Sequence, residues 1–343
     1  MPRALVATAP RTPALVEYQE PELGPGQVRL RSVLSVVKHG TELRGFRADT
    51  RDATVPFDRE LRLHLPGERR NAFPLPLGHQ VVARVVEAGP GAERFRAGDL
   101  VFGPLPVRET HTVAEEILQA VPAGADPAAL VCWDPASVAL CGIHDSGIRV
   151  GDRVLVTGLG AIGLMAAQLA RLQGAGWVAC SDPIARRRHL ATTHGANHVI
   201  DPGAEDVGLT VKRHTGGRGA DVSIEASGSY AALHDALRAT AYGGTVASLA
   251  YYTGTAEALH LQGEWHRNQL TLISSRNVND PLRADPRWDS ERMHRQVIDL
   301  LVAGTLRADG VLDPIVPFEE SAAAYREIER SPDAGIKLAV RHP

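Results

Sequence analysis

The segment VLVTGLGAIG, residues 154–163, decides the fold of this chain. An apolar run ends at Thr157, and Gly158, Gly160 and Gly163 then form the pattern G-x-G-x-x-G. In such a pattern the first glycine permits a tight turn, the second lets the backbone approach a pyrophosphate, and the third lets a helix pack closely on a strand. The segment therefore predicts a strand, a phosphate-binding turn and the start of a helix.

The next predicted strand, WVACSD at residues 177–182, supports a dinucleotide site. It ends at Asp182, about twenty residues after the glycines, where a carboxylate can accept hydrogen bonds from the adenosine ribose hydroxyls. The same charge would repel a 2′-phosphate, so the sequence favours NAD(H) over NADP(H), although Arg186–Arg188 argue weakly the other way. The residues expected to bind the cofactor are Gly158, Gly160, Ala161, Ile162, Gly163, Asp182 and Arg187.

The two halves of the chain differ in the pattern of their apolar residues. The first ~125 residues carry short alternating or β-branched runs separated by Gly and Pro, a pattern typical of an antiparallel barrel or sandwich. From Asp126 onward, strands alternate with helices, which indicates a doubly wound parallel sheet. A helix, an amphipathic segment and a last strand follow after about residue 280. The predicted fold class is α/β.

Composition excludes several classes of function. The 343 residues carry a net charge of −3, which offers no electrostatic basis for binding nucleic acid or an anionic membrane. No apolar run approaches the ~20 residues that span a bilayer. The odd number of cysteines, each among apolar residues, is typical of reduced thiols, and we expect a soluble cytoplasmic protein. The three are Cys132, Cys141 and Cys180.

Residues 47–73 form a long stretch that is rich in arginine. Loops of this length in compact domains are usually functional or disordered. Two interpretations stay open: a solvated insertion, or a lid that grips an anionic substrate through bidentate arginine contacts.

Several segments together resemble the medium-chain dehydrogenase/reductase superfamily over essentially the whole chain. They are GQVRLRSVLSVVKHGTEL, PLGHQVVARVVEAG, RFRAGDLVFG, VLVTGLGAIGLMAAQLARLQGA and FEESAAAYREIE. GTE and EWHRNQLTLISSR look like the branch with bacteriochlorophyllide-type dehydrogenases, and WDPASVALCGIHD is similar to sorbitol and threonine dehydrogenases. The resemblance implies a GroES-like β-barrel catalytic domain at 1–130, a Rossmann NAD-binding domain at 131–279 and a return to the catalytic domain at 280–343. It also implies a homodimer paired through the strand LTLISS at 270–275.

The resemblance also implies an active site. Zinc members have Cys-Gly-Ser/Thr-Asp, Gly-His-Glu and Glu-Pro where this chain has His39-Gly40-Thr41-Glu42, Gly78-His79-Gln80 and Asp134-Pro135. His39, His79 and Asp134 would then hold one catalytic zinc, with Gln80 beside them, since two imidazoles and a carboxylate make a sound open site. Thr41 matches the hydroxyl that relays the substrate proton, and Glu42 the acidic residue that orients a histidine. The four-cysteine structural zinc lobe is absent from the sequence.

These features predict an NAD(H)-dependent oxidoreductase that interconverts a polar secondary alcohol, such as a sugar or cyclitol, and its ketone. His39, Thr41 and Glu42 are the predicted catalytic group. Two alternatives remain at this point: a metal-free reductase of an activated C=C or C=O bond, with His39 or Lys38 as proton donor, and a dinucleotide-binding protein without catalysis.

Overall fold

The computed structural model describes residues 1–48, 55–67, 73–276, 283 and 285–343. The chain divides into two compact units, Met1–Val131 with Leu312–Pro343 and Cys132–Val311. The hypothesis of an arginine-rich lid at 47–73 falls partly outside the described residues. Within its described part, Phe57–Asp58 pairs with Leu63–His64 as a short antiparallel hairpin.

The N-terminal part of the first unit is built mainly from short strands. Its helices are α1 (His39–Arg47) and α2 (Pro127–Leu130), and a 3-10 turn covers Glu115–Ile117. Its strands are β1 (Arg3–Ala9), β2 (Thr12–Glu17), β3 (Gln27–Val36), β4 (Phe57–Asp58), β5 (Leu63–His64), β6 (Leu75–Pro76), β7 (Gln80–Ala88), β8 (Leu100–Gly103), β9 (Thr110–Ala114) and β10 (Gln119–Ala120).

The second unit alternates strands with helices. Its strands are β11 (Arg153–Thr157), β12 (Trp177–Ser181), β13 (His198–Ile200), β14 (Ala220–Glu225), β15 (Thr240–Ser248) and β16 (Thr271–Ser274). Its helices are α3 (Trp133–Ser146), α4 (Ala161–Gln173), α5 (Ala185–Thr193), α6 (Val207–His214), α7 (Tyr230–Ala239), α8 (Glu264–Arg267) and α9 (Ser290–Val302).

All neighbouring strands of the second unit are parallel, in the order β13-β12-β11-β14-β15-β16. The sheet is therefore the predicted doubly wound one, and its strand order reverses between β11 and β14. Ligands of such sheets bind beyond the carboxyl ends of the strands at this reversal. Gly158 and the buried Glu225 both lie there, at the ends of β11 and β14.

The chain then returns to the first unit. The elements of this return are β17 (Leu312–Pro317), a 3-10 turn (Phe318–Glu320), α10 (Ser321–Arg330), a second 3-10 turn (Pro332–Ala334) and β18 (Lys337–Arg341). A sheet in the order β10-β8-β7-β3-β18-β17, with β9 also on β3, forms this unit, and a smaller sheet has the order β2-β1-β6. The strand β18 runs antiparallel to β3 and parallel to β17. An apolar cluster that includes Phe46, Leu77 and Tyr325 joins α1 and α10 to this sheet region.

The boundary predicted at residue 280 differs from the structure, because α9 belongs to the second unit. The His294 ring of α9 lies 4.6 Å from the Trp133 ring of α3, and Trp288 lies 4.5 Å from His144. An amphipathic helix can pack on either core, and its pattern does not say which one. The return begins at Leu312.

Among the described residues, no helix is both long and apolar enough to cross a membrane.

Candidate active site

The glycine-rich turn between β11 and α4 is shaped by close packing at two of its three glycines. Gly158 has φ +84°, and a Cβ there would lie 2.5 Å from the Ser227 side chain. A Cβ on Gly163 would lie 1.8 Å from the Gly158 carbonyl oxygen. Any larger residue at either position would displace the turn from the sheet.

Gly160 differs from these two glycines. A Cβ built on it meets no atom within 4 Å, so the protein's own packing does not require a glycine there. Gly160 is the N-cap of α4 and makes no side-chain capping bond. The first backbone N–H groups of the helix, at Ala161 and Ile162, therefore face a turn with room for an anion, which suits a pyrophosphate. The turn fits a dinucleotide.

Asp182 follows β12 and is 3% exposed. Its Oδ2 accepts a hydrogen bond from the Leu159 N–H at 2.7 Å, and its Oδ1 accepts one from the Ile184 N–H at 2.8 Å. The carboxylate thus braces the glycine-rich turn itself. Each oxygen keeps a further lone pair that can accept another hydrogen bond. The Arg187 guanidinium lies 3.7 Å from Oδ2, and Arg188 donates to the Asp182 carbonyl at 2.7 Å.

Glu225, which the sequence analysis did not single out, supports the same edge of the sheet. Its carboxylate accepts hydrogen bonds from the backbone N–H of Ser227 at 2.7 Å and from the hydroxyls of Ser227 and Tyr252. Burial raises the pKa of Glu225, while these donors oppose the rise. Because Ser227 lies against Gly158, the network fixes one wall of the glycine-rich turn. The feature of the sequence that could have indicated Glu225 is its carboxylate at the end of an apolar strand.

His39, Thr41 and Glu42 lie in the first turns of α1, where the sequence indicated only a strand end. Lys38 is the N-cap of this helix and makes no side-chain capping bond. Glu42 instead satisfies the backbone N–H of the N-cap residue, since its Oε1 accepts the Lys38 N–H at 2.6 Å. The helix start therefore depends on a residue within the helix.

Glu42 also connects α1 to the segment that carries His79. Its Oε2 accepts the Gly78 backbone N–H at 3.1 Å, and the Tyr325 hydroxyl lies 3.4 Å from the same oxygen. Burial raises the pKa of Glu42, and the bonds from Gly78 and Lys38 and the nearby Lys337 and His79 oppose that rise. One carboxylate thus holds together the two segments that carry His39 and His79.

Lys337 and Tyr325 complete the surroundings of Glu42, and the sequence analysis named neither for the site. Lys337 is 4% exposed, and its Nζ donates to the Val37 carbonyl at 2.8 Å. Tyr325 is fully buried, and its ring lies 6.2 Å from the His39 ring. The feature of the sequence that could have indicated Lys337 is a single lysine within the apolar strand IKLAV.

The third predicted metal ligand, Asp134, belongs to the other unit, in the first turn of α3, and is 7% exposed. The residue types fit zinc, because imidazole nitrogen and carboxylate oxygen are ordinary ligands of this ion. As the side chains stand, the described residues contain no group of three His, Cys, Asp or Glu close enough to hold a metal ion.

Comparison with known proteins identifies the relatives of this chain. The sequence model of the zinc-binding dehydrogenases matches residues 161–295. The chain is 38% identical to the D-guloside 3-dehydrogenase of Escherichia coli K12, across 98% of this chain and 99% of that protein. It is 31% identical to the L-threonine 3-dehydrogenase of Pyrococcus furiosus, across 73% of this chain and 76% of that one.

Among solved structures, a zinc-binding dehydrogenase from Sinorhizobium meliloti 1021 bound to NADP has the same fold. Its TM-score is 0.77 at 22% identity, with 99% of each chain covered. These matches confirm the predicted fold class and the predicted superfamily. The chain belongs to the zinc-binding alcohol dehydrogenases of the medium-chain dehydrogenase/reductase superfamily and is an oxidoreductase.

Proposed function

We propose that this enzyme oxidises a secondary hydroxyl of a hexose-like sugar or glycoside, with NAD⁺ as the hydride acceptor. The observation that carries the proposal is the 38% identity to a D-guloside 3-dehydrogenase over almost the whole length of both chains. The net charge of −3 and the polar residues around His39 and His79 are compatible with a neutral, hydroxylated substrate.

Cofactor binding is assigned to the second unit. The turn Gly158–Gly163 would hold the pyrophosphate, because Gly160 leaves space and the α4 N-terminus offers N–H groups. Asp182 would accept hydrogen bonds from the adenosine ribose, and its charge favours NAD(H). NAD⁺ bound in this way supplies the acceptor for the hydride.

The reacting alcohol is assigned to the His39 segment. His39, His79 and Asp134 would hold zinc, which when bound supplies Lewis acidity toward the substrate oxygen. Thr41 would take the hydroxyl proton from the substrate and pass it toward solvent. Glu42 would not touch the substrate; it would position both histidine segments through the Lys38 and Gly78 N–H groups.

The experiment is a substrate panel with NAD⁺ in excess. It contains methyl D-guloside, methyl D-glucoside, D-sorbitol, L-threonine and ethanol, with NADH formation followed by absorbance and the ketone located by NMR. We expect oxidation of a glycoside with one NADH for each ketone. Thr41→Val, which replaces the hydroxyl with a methyl group of similar size, should lower kcat and leave NAD⁺ affinity unchanged. Oxidation of L-threonine or ethanol alone would refute the proposed substrate class.

A further inference from the structure

Gln80 is a buried polar residue whose amide has no partner among the described residues. It is 1% exposed, and neither its Oε1 nor its Nε2 forms a hydrogen bond to another group of the described structure. Both atoms lack a partner, so rotating the amide to exchange the positions of its oxygen and nitrogen would still leave it without a hydrogen bond. Buried polar groups are nearly always hydrogen-bonded, so this amide requires an explanation.

The placement of Gln80 shows why the surrounding protein does not satisfy it. Gln80 is the first residue of β7 and lies opposite Val36 of β3, with Val82 two residues further along the same face. Val36 and Val82 are fully buried and offer no polar side-chain atom. The alternate residues Val81 and Ala83 enter a separate apolar cluster. An apolar residue at position 80 would suit this face better than glutamine.

Gln80 directly follows His79, whose segment Glu42 holds through the Gly78 N–H at 3.1 Å. We propose that the Gln80 carboxamide binds a substrate hydroxyl next to the one that is oxidised, and that it thereby selects polyhydroxylated substrates over simple alcohols. A carboxamide donates and accepts, as a hydroxyl does, and it is neutral. It therefore suits a sugar hydroxyl better than a carboxylate or a phosphate, which arginine would bind more strongly.

This inference rests on the proposed function, and it adds the group that reads the neighbouring hydroxyl. A site built to hydrogen-bond a hydroxyl rejects the analogue that lacks it, because the buried polar group is then left unpaired. For one amide we expect a preference of about 10- to 100-fold in kcat/KM for the glycoside over its deoxy analogue.

The test uses Gln80→Met, which keeps the length of the side chain and removes both hydrogen-bonding atoms. Gln119→Met is the matched control, since Gln119 also begins a strand but is exposed. For each protein we would measure the melting temperature without ligand, NAD⁺ affinity, and kcat and KM for methyl D-guloside and its monodeoxy analogues at the ring hydroxyls.

For Gln80→Met we expect a melting temperature equal to or above that of the wild type, because an unpaired buried amide has been removed. NAD⁺ affinity should stay the same, KM for the glycoside should rise about 10- to 100-fold, and discrimination against one deoxy analogue should disappear. The control should resemble the wild type. Wild-type discrimination against a single deoxy analogue tests the inference without any variant.

Several results would overturn the inference. Retained discrimination in Gln80→Met would show that the amide does not read the substrate. A marked fall in the melting temperature without ligand would show a structural role, and a fall in zinc content at unchanged discrimination would make the amide a metal ligand. If the wild type oxidises no glycoside, both the proposed function and this inference fail. If the wild type oxidises glycosides but does not discriminate against any deoxy analogue, only this inference fails.

Discussion

The carboxylate of Glu42 accepts the backbone N–H of Gly78 at 3.1 Å, and this bond joins helix α1 to the segment that carries His79. The other oxygen accepts the Lys38 N–H at 2.6 Å, at the start of the same helix. Glu42 therefore acts on the spacing of the two histidine segments. We therefore expect Glu42 to affect catalysis by positioning the two histidine segments and not by contact with the substrate.

Glu42→Gln should lower kcat/KM roughly 10–100-fold, the usual cost of losing a group that orients metal-site residues. The amide nitrogen cannot accept from Lys38 or Gly78, so one backbone N–H loses its partner and the free energy of unfolding should fall by about 1–3 kcal/mol. Steady-state kinetics and urea unfolding would measure both. Glu320→Gln, at an exposed carboxylate of the same unit, is the control. Unchanged kinetics in Glu42→Gln would contradict the positioning role.

Asp182→Ala should weaken NAD⁺ binding and narrow the gap to NADP⁺, because ribose hydrogen bonds and the repulsion of a 2′-phosphate are lost together. Charged hydrogen bonds of this kind contribute on the order of 1.5–3 kcal/mol. The variant also removes the partner of the Leu159 N–H, so its melting temperature must be measured beside the two dissociation constants. Asp201→Ala is a suitable control, since Asp201 lies after the next strand and pairs with Arg188. Tighter binding of NADP⁺ than of NAD⁺ by the wild type would show that Asp182 does not set this preference.

The position of β16 at the edge of its sheet leads us to predict a homodimer. It is the last strand of the described six-stranded sheet, and Leu272 on it is 38% exposed. Exposed apolar edges favour pairing with another strand, and a two-fold axis beside β16 would continue the sheet. Sedimentation should give a dimer for the wild type and a monomer for Leu272→Lys. Val150→Lys, at an apolar residue that is 89% exposed, should stay dimeric. A wild type that is monomeric at micromolar concentration would refute this assembly.

Two buried histidines predict acid sensitivity of the first unit. Burial lowers the pKa of His111 to about 3 and that of His342 to about 4. Below pH 6.5 the unfolded chain binds protons that the folded chain excludes, so stability falls as pH decreases from about 6.5 toward these values. Each histidine contributes about 1.4 kcal/mol for every pH unit in that window.

His111→Gln should therefore reduce the loss of unfolding free energy between pH 7 and pH 5, as measured by urea unfolding at both values. His266→Gln, at an exposed histidine, should leave the loss unchanged. Equal losses in the wild type and in His111→Gln would mean that His111 takes up its proton in the folded protein.

The dinucleotide unit could be predicted from sequence because local rules and packing agree there. Gly163 is required by a contact with the Gly158 carbonyl oxygen, and one short motif contains both of these residues, whereas Gly158 is required by its positive φ and by Ser227. Helix α1 was missed because Lys38 and His39 are not typical capping residues, and the bond at the helix start joins the Lys38 N–H to Glu42 within the helix.

The surroundings of the predicted active site depend on distant residues, which a single sequence does not connect. Tyr325 reaches Glu42 from 283 positions away, and Lys337 reaches Val37 from 300. The unpaired state of Gln80 becomes visible only when burial is known. Periodicity identifies which face of an element is buried, but it does not identify the element that covers that face.

The proposed zinc-assisted oxidation is tested most directly by exhaustive chelation of the wild-type enzyme, with NAD⁺ saturating and methyl D-guloside as substrate. The account predicts about one zinc per chain before chelation, loss of NADH formation with NAD⁺ affinity retained afterward, and recovery when zinc is restored. His79→Ala and Asp134→Ala should both lower zinc content. Full activity in the metal-free protein would contradict the account and would favour a reductase or dehydrogenase in which His39 or Lys38 transfers the proton.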